Sequence, residues 1–151
     1  MESQVRVKWN TSMSAPFNVS NGVRQGAVLS PNLFNIYVDE LIKDLKTDGR
    51  GCWVGAQFYG VLVYADDILL LSPTVSALKS MIKTCEDFGH KTGLEFNSKK
   101  TVCILFHQLG HCNDTNTPNV YLNDKALKWC QHVKHLGHII SCCSDIEEET
   151  I

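Results

Sequence analysis

The spacing of apolar and polar positions predicts a chain of short strands interrupted by two helices. Val5-Arg6-Val7-Lys8-Trp9 alternates, Asn10-Thr11-Ser12 turns, and Phe17-x-Val19 alternates back, a β-hairpin over Gln4 to Ser20. Ser30-Pro31 reads as a helix start, Ser capping and Pro at the first helical position. From there Phe34, Tyr37, Val38, Leu41, Ile42 and Leu45 recur at steps of three and four, one face for packing on a sheet, and Asp48-Gly49 closes the helix. Asp39, Glu40 and Asp44 fall mainly on the other, solvated side. Gly51 to Gly55 reads as a glycine-punctuated strand. Ser72-Pro73-Thr74 opens a second helix whose stripe is Leu78, Met81, Ile82, Cys85 and Phe88, with Gly93 past its end. Beyond it come Leu94-Glu95-Phe96, a turn at Asn97-Ser98-Lys99 and a strand from Thr101 to Phe106. Gln108 to Asn119 is polar and rich in turn formers, a loop. Then Val120-Tyr121-Leu122, a turn at Asn123-Asp124, Ala126 to Trp129 and Val133 to Ile140 read as three short strands in a meander.

One stretch breaks its own pattern. Phe58 to Ser72 carries two apolar runs, Val61-Leu62-Val63 and Ile68-Leu69-Leu70-Leu71, around Tyr64-Ala65-Asp66-Asp67. That predicts a hairpin buried on both arms with two acids at its tip. Adjacent carboxylates beside so much aliphatic surface are costly unless a positive charge neutralises them. Hard oxygen ligands suit Mg²⁺ or Mn²⁺, and a pair of such ions is the arrangement that clamps both oxygens of an in-line phosphoryl transfer. A plain turn containing Asp-Asp is the competing reading, since Asp is common in turns. Tyr-x-Asp-Asp arises by chance in roughly one chain of this size in a hundred, so the tetrapeptide needs support from elsewhere.

Composition adds bounds. The 151 residues fit one ordinary domain, and 44% hydrophobic with 20% charged residues give no case for disorder. A net charge of -2 says that this piece is no self-sufficient electrostatic clamp for nucleic acid, which usually calls for a basic excess. No apolar run approaches the length of a membrane span, and MESQVRVKWN lacks the apolar core of a signal peptide. A reducing compartment, nuclear or cytoplasmic, is the expectation. Seven cysteines, Cys142-Cys143 adjacent and the rest scattered, do not form a disulfide framework and read mostly as small buried hydrophobes.

Support for the acidic tip stands upstream and downstream. Asn21 to Leu41 holds Arg24-Gln25-Gly26, then Leu29-Ser30-Pro31, Phe34 and Tyr37; beyond the Tyr-Ala-Asp-Asp tip follow Gly93-Leu94-x-x-Asn97-x-x-Lys100-Thr101 and Leu136-Gly137. These four blocks, in this order from about Val5 to Ile140, resemble the reverse transcriptases of non-LTR (LINE-type) retrotransposons. The resemblance implies an α+β fold: a partial polymerase palm, a ferredoxin-like hairpin and helix core over residues 1–106, followed by a polar loop, primer-grip-like strands and an acidic tail over 107–151. It implies RNA-directed DNA polymerase chemistry by two-metal catalysis, with Mg²⁺ or Mn²⁺, an RNA template, a DNA primer and a deoxynucleoside triphosphate, and no membrane.

The resemblance also gives residues their roles. Asp66 ligates metal directly and Asp67 supports it. Lys100 stands near the triphosphate, where it offsets charge or donates a proton to pyrophosphate. Arg24, Gln25 and Gly26 lie near template and incoming nucleotide: Arg24 offers a fork for phosphate, Gln25 a two-way hydrogen bond, and Gly22 and Gly26 close backbone approach. Tyr64 packs the hairpin beneath the primer end. His135, Leu136 and Gly137 match the primer-grip block, with His135 where Tyr is typical.

Two expectations temper the resemblance. A palm of this class places its first strand mid-sheet, ending in a further catalytic Asp, and there is no Asp before Asp39. The missing block is expected in an N-terminal half or another chain, and the isolated chain is expected to be inactive, with unpaired strand edges and an exposed apolar patch. The alternative is a domesticated or degenerate remnant that binds nucleic acid or protein without catalysis. A third reading is zinc binding by His107, His111, Cys112, Cys130, His132, His135, His138, Cys142 and Cys143, although none shows Cys-x-x-Cys spacing. Within one strand, His135 and His138 would point to opposite faces.

Overall fold

The computed structural model describes residues 3–19, 30–106 and 117–142, and the chain divides into two compact units, 1–40 and 41–151. In the first, β1 (Ser3–Val5), β2 (Lys8–Trp9), β3 (Ser12–Met13) and β4 (Phe17–Val19) make one antiparallel hairpin, β1 with β4 and β2 with β3. Asn10 turns it with φ +52. Val5 faces Phe17, while Ser14 N–H donates to Val7 O at 2.9 Å, so Arg6 stands opposite both Ala15 and Pro16. A bulge there is where Pro, lacking an N–H, costs no ladder bond. The predicted hairpin is therefore present.

Helix α1 (Ser30–Asp48) starts at the Ser-Pro pair and ends at Gly49, whose φ is +72. Of its predicted stripe, Val38, Leu41 and Leu45 are fully buried, Phe34 and Ile42 half-buried, and Tyr37 exposed. Asp39, Glu40 and Asp44 are exposed.

The strand predicted over Gly51 to Gly55 is instead one arm of a small hairpin. β5 (Trp53–Val54) pairs with β6 (Gln57–Phe58) across Gly55, φ +59, and the Trp53 and Phe58 rings meet at 5.0 Å. A glycine able to adopt a left-handed backbone turned the chain where a strand reading ran on. β7 (Val61–Tyr64) and β8 (Asp67–Leu70) follow as an antiparallel pair. Cys52 N–H donates to Leu71 O at 3.0 Å and Leu71 N–H to Gly60 O at 2.8 Å, locking one hairpin to the next. A Cβ on Gly51 would lie 2.5 Å from the Gly60 Cα, so this backbone crossing requires glycine.

Helix α2 (Val75–Thr92) forms as its signals dictate. Thr74 caps it, accepting the Ala77 N–H at 3.1 Å, and Gly93 ends it in the left-handed region, φ +75, donating to Gly89 O. Such a cap contributes about 1 kcal/mol. Met81, Ile82, Cys85 and Phe88 are buried, and Leu78 is partly so. Ile82 joins Cys103, Val120, Leu122 and Leu127 in a core cluster against which Leu70, Val75, Phe96 and Trp129 pack.

The C-terminal strands depart from the predicted meander. β10 (Tyr121–Leu122) and β11 (Lys125–Ala126) make a tight hairpin, but β12 (Lys128–Trp129) leaves it to pair in parallel with β9 (Val102–Cys103). Leu127 lies in the core cluster, which draws the chain inward after β11. The run Val133 to Ile140 is two strands, β13 (His132–His135) and β14 (His138–Ser141), turning at Leu136-Gly137 with φ +49 and +85. Two consecutive left-handed residues reverse the chain within two positions.

The described residues thus form a mixed fold of two helices and seven two-stranded pairs, six antiparallel and one parallel. Every described strand pairs on one side only. Cys52, Cys85, Cys103, Cys130 and Cys142 are free thiols. No described helix is long and apolar enough to cross a membrane.

Candidate functional site

The acid pair sits at the turn of the β7–β8 hairpin. Tyr64 faces Asp67 in register, leaving Ala65 and Asp66 as the two turn residues. Ala65 holds φ +50, a left-handed backbone that costs a residue with a Cβ about 1–2 kcal/mol. The acids are inequivalent because Asp66 belongs to the turn and Asp67 opens β8.

The arms are not buried as predicted. Val61, Val63, Ile68 and Leu70 are half-buried, while Leu62 is 48% and Tyr64 65% exposed, and both acids are exposed. Apolar composition set the strand propensity. Burial requires neighbours on both faces, and β7 and β8 pair only with each other. The premise that two carboxylates are forced into aliphatic surroundings does not hold here, since the tip projects into solvent.

Lys100 lies in a turn organised by Asn97. The Asn97 Oδ1 accepts the Lys99 N–H at 3.0 Å and the Lys100 N–H at 3.3 Å, and its carbonyl accepts from Thr101 N–H and from Thr101 Oγ1. Asn97 thereby fixes the backbone that presents Lys100, which is exposed. An Asn whose side chain bonds its own backbone two residues on is a known turn device, so this role was readable from Asn-x-x-Lys.

A single crossover, α2, joins β8 to β9. Its 18 residues span about 27 Å, enough to carry the chain back along either strand, so both strands set out from the same end. Asp66 directly precedes β8, and Lys100 stands two residues before β9. The acid pair and Lys100 therefore share an end of the 41–151 unit.

As donors, the two carboxylates suit a hard divalent ion in kind. In number they fall short of a cage: among the described residues no group of three or more His, Cys, Asp or Glu is placed to hold a metal. The same finding leaves the zinc reading without a cluster there, and His107, His111, Cys112 and Cys143 fall outside the described residues, as do Arg24, Gln25 and Gly26. One correction concerns His135 and His138. They face each other in register across the hairpin, on the same face, because a turn rather than a continuous strand separates them. Of the primer-grip-like trio, His135 closes β13, and Leu136 and Gly137 form the exposed turn.

Beneath the hairpin the thiols are inert. Burial pushes the Cys85 thiol up to about 12, helped by Glu86 beside it, and Cys103 to about 11, with Cys130 adding to the effect. Neither supplies a thiolate at neutral pH.

The sequence matches the family profile described as reverse transcriptase (RNA-dependent DNA polymerase) over residues 2–140. The chain belongs to the reverse transcriptase family. It is 40% identical over 125 residues to a Retrovirus-related Pol polyprotein from type-1 retrotransposable element R2 of Popillia japonica, covering 80% of this chain and 18% of that protein. It is 31% identical over 129 residues to the polyprotein from type-2 retrotransposable element R2DM of Drosophila melanogaster, 82% of this chain and 12% of the relative. The RNA-directed DNA polymerase from mobile element jockey of the same fly is 25% identical over 126 residues, 79% and 13%. This reverse transcriptase segment spans less than a fifth of each of these relatives. The resemblance to non-LTR retrotransposon polymerases drawn from four short blocks is thus upheld, and the mixed helix and strand architecture agrees with part of such a domain.

Proposed function

We propose that this segment is the palm portion of an RNA-directed DNA polymerase, with residues 1–106 forming its hairpin and helix core and 107–151 carrying strands that contact the primer. The observation that supports it most is the family match across residues 2–140, which spans an acid pair held out at an exposed hairpin tip. In this reading the primer 3′-hydroxyl attacks the α-phosphorus of a deoxynucleoside triphosphate templated by RNA. A P–O bond forms, the bond to pyrophosphate breaks, and the hydroxyl proton is lost.

Asp66 is the direct ligand for Mg²⁺ or Mn²⁺ and Asp67 its support. Bound there, the ions activate the hydroxyl and screen the charge of the departing pyrophosphate. Lys100, presented by the Asn97 turn at the same end, offsets triphosphate charge or gives pyrophosphate a proton. Arg24, Gln25 and Gly26 meet template and nucleotide, Tyr64 supports the primer end, and His135, Leu136 and Gly137 grip the primer.

Magnesium is commonly held by one or two carboxylates completed by substrate phosphates. Two exposed acids without a third should therefore hold it weakly. The isolated chain is expected to give no primer extension on an RNA template with Mg²⁺, and robust synthesis would refute that expectation. Mn²⁺ titration followed by NMR tests the site itself. Broadening should begin at residues 65–67 and be lost in Asp66→Asn. First broadening around Glu86 and Asp124 instead would overturn the assignment.

A further inference from the structure

A cavity of about 280 Å³ opens between β8 and β9. Its walls include all of residues 68–71 and all of residues 101–104. Successive side chains of a strand point to opposite faces, so a cavity lined by every residue of a strand abuts its edge rather than one of its faces. Here two strands present their edges to one space.

The backbone directions agree. Leu71 N–H donates to Gly60 O at 2.8 Å, so by ladder alternation Leu69 and Asp67 also aim their polar groups at β7, and Ile68 and Leu70 aim theirs away. Cys103 O accepts from Cys130 N–H at 2.8 Å, so Cys103 is committed to β12 and Val102 and Ile104 turn the other way. Ile68, Leu70, Val102 and Ile104 all line the cavity, and β8 and β9 have no second strand partner among the described residues. Leu78 and Ile82 of α2 wall one side, and Val133 and Ile140 of the β13–β14 hairpin also line the space.

We propose that this cavity seats one extended, proline-free strand with apolar side chains on both faces, supplied by a further segment of the polyprotein. It would join the β7–β8 and β9–β12 pairs into one five-stranded sheet. Backbone groups in the slot give the pairing, as in strand addition to a free edge, and the apolar walls require the unbroken hydrophobic character of a strand buried on both faces. The relatives, of which this chain spans less than a fifth, hold ample further sequence to supply it. The proposal does not rest on the polymerase reading, because the cleft fills or stays open whatever Asp66 does.

Hydrogen exchange on the full 151-residue chain tests it, with the peptide Lys-Lys-Val-Ile-Ala-Val-Ile-Val-Lys-Lys as probe. Saturating 1:1 binding should slow exchange at the Ile68, Leu70, Val102 and Ile104 amides at least tenfold, with Asp67 and Leu69 changing little. The same peptide N-methylated at alternate residues keeps its apolar surface and loses donors along one edge, and it should bind at least tenfold more weakly. Equal affinity for both peptides would reduce the cleft to a greasy pocket and sink the proposal. So would protection confined to another edge, such as β14. Slow exchange of those four amides in peptide-free protein that scatters light as a dimer would assign the slot to a second copy and overturn it as well.

Discussion

Two hairpins of this molecule are built to one plan and end differently. β7–β8 and β13–β14 each pair four residues with four and turn in two. The first turns on Ala65 and Asp66, with only Ala65 left-handed, and the second on Leu136 and Gly137, both left-handed. The first anchors itself inward, since Leu70 packs on the core cluster. The second leaves Ile139 68% exposed and sets two imidazoles face to face beside its turn. A hairpin that carries a strained tip and solvent-exposed acids, yet is tied to the core by its second strand, is arranged to hold chemistry in place. One with a relaxed turn and a loosely covered strand is arranged to touch a partner.

The largest difference should appear in synthesis. In a polymerase-length protein containing this segment, Asp66→Asn is expected to lower template-directed synthesis at least a hundredfold, with kcat falling. His135→Ala should instead raise the KM for primer with a smaller change in kcat. Neither substitution removes buried contacts, so urea midpoints should shift by less than about 0.5 kcal/mol equivalent. Equal kinetic losses in the two variants would erase the distinction between an acid-bearing tip and a gripping one.

Stability separates the hairpins next. Leu70→Ala removes a side chain that packs on the Ile82, Cys103 and Leu122 cluster and should cost about 2 kcal/mol. Ile139→Ala removes an exposed one and should stay within about 0.5 kcal/mol. Chemical denaturation of both variants checks the pair, and a comparable cost for Ile139 would mean that β14 is covered in solution.

What the sequence made legible follows the range of the interactions involved. α2 could be read end to end, because Thr74, the stripe from Leu78 to Phe88 and Gly93 are local signals and the structure uses each one. The first hairpin and the position of the acids at a turn were local too. The parallel pairing of β9 with β12 joins residues 26 positions apart and has no local mark. Leu136-Gly137 was hidden inside an apolar run, where a glycine reads equally as bulge, strand or turn. Exposure of the β7–β8 arms was misread because side-chain type reports what a strand prefers, and burial depends on which strand lies beside it. Of the candidate site, Asp66, Asp67 and Lys100 were identifiable as residue types in motifs. Their common end emerges only from the crossover geometry, and Asn97 as the organiser of the Lys100 turn only from its hydrogen bonds.

The thiols beneath the first hairpin give a pH dependence of known sign. Cys85 and Cys103 are raised by burial, so the folded protein keeps both protons at pH values where the unfolded chain, titrating near 9.0, has lost them. The unfolded state then binds fewer protons, and stability falls as pH rises from about 9 toward 11, at a limiting slope of about 1.4 kcal/mol per pH unit for each thiol. Urea unfolding at pH 8, 9 and 10 should show the decline, and Cys85→Ala should flatten it. A profile of unchanged slope in that variant would mean that the Cys85 thiol titrates as in water.

The smallest effects should have opposite signs at the two turns. Ala65 bears a Cβ in the left-handed region, so Ala65→Gly relieves strain and is expected to stabilise by up to about 1 kcal/mol, after allowance for the greater freedom glycine gives the unfolded chain. Gly137 holds φ +85 with nothing within 4 Å of an added Cβ, so Gly137→Ala meets no clash and costs only backbone strain, about 1 kcal/mol. Thermal melts of the two variants measure both. If Ala65→Gly also loosens the turn, Mn²⁺ should broaden residues 65–67 less sharply even as the melting temperature rises, because a tip free to sample other backbone states holds its two carboxylates in no single geometry. That trade of stability against a fixed tip is the expected signature of strain kept for function. A gain in stability with metal broadening unchanged would show that the left-handed alanine is incidental to how Asp66 and Asp67 are presented.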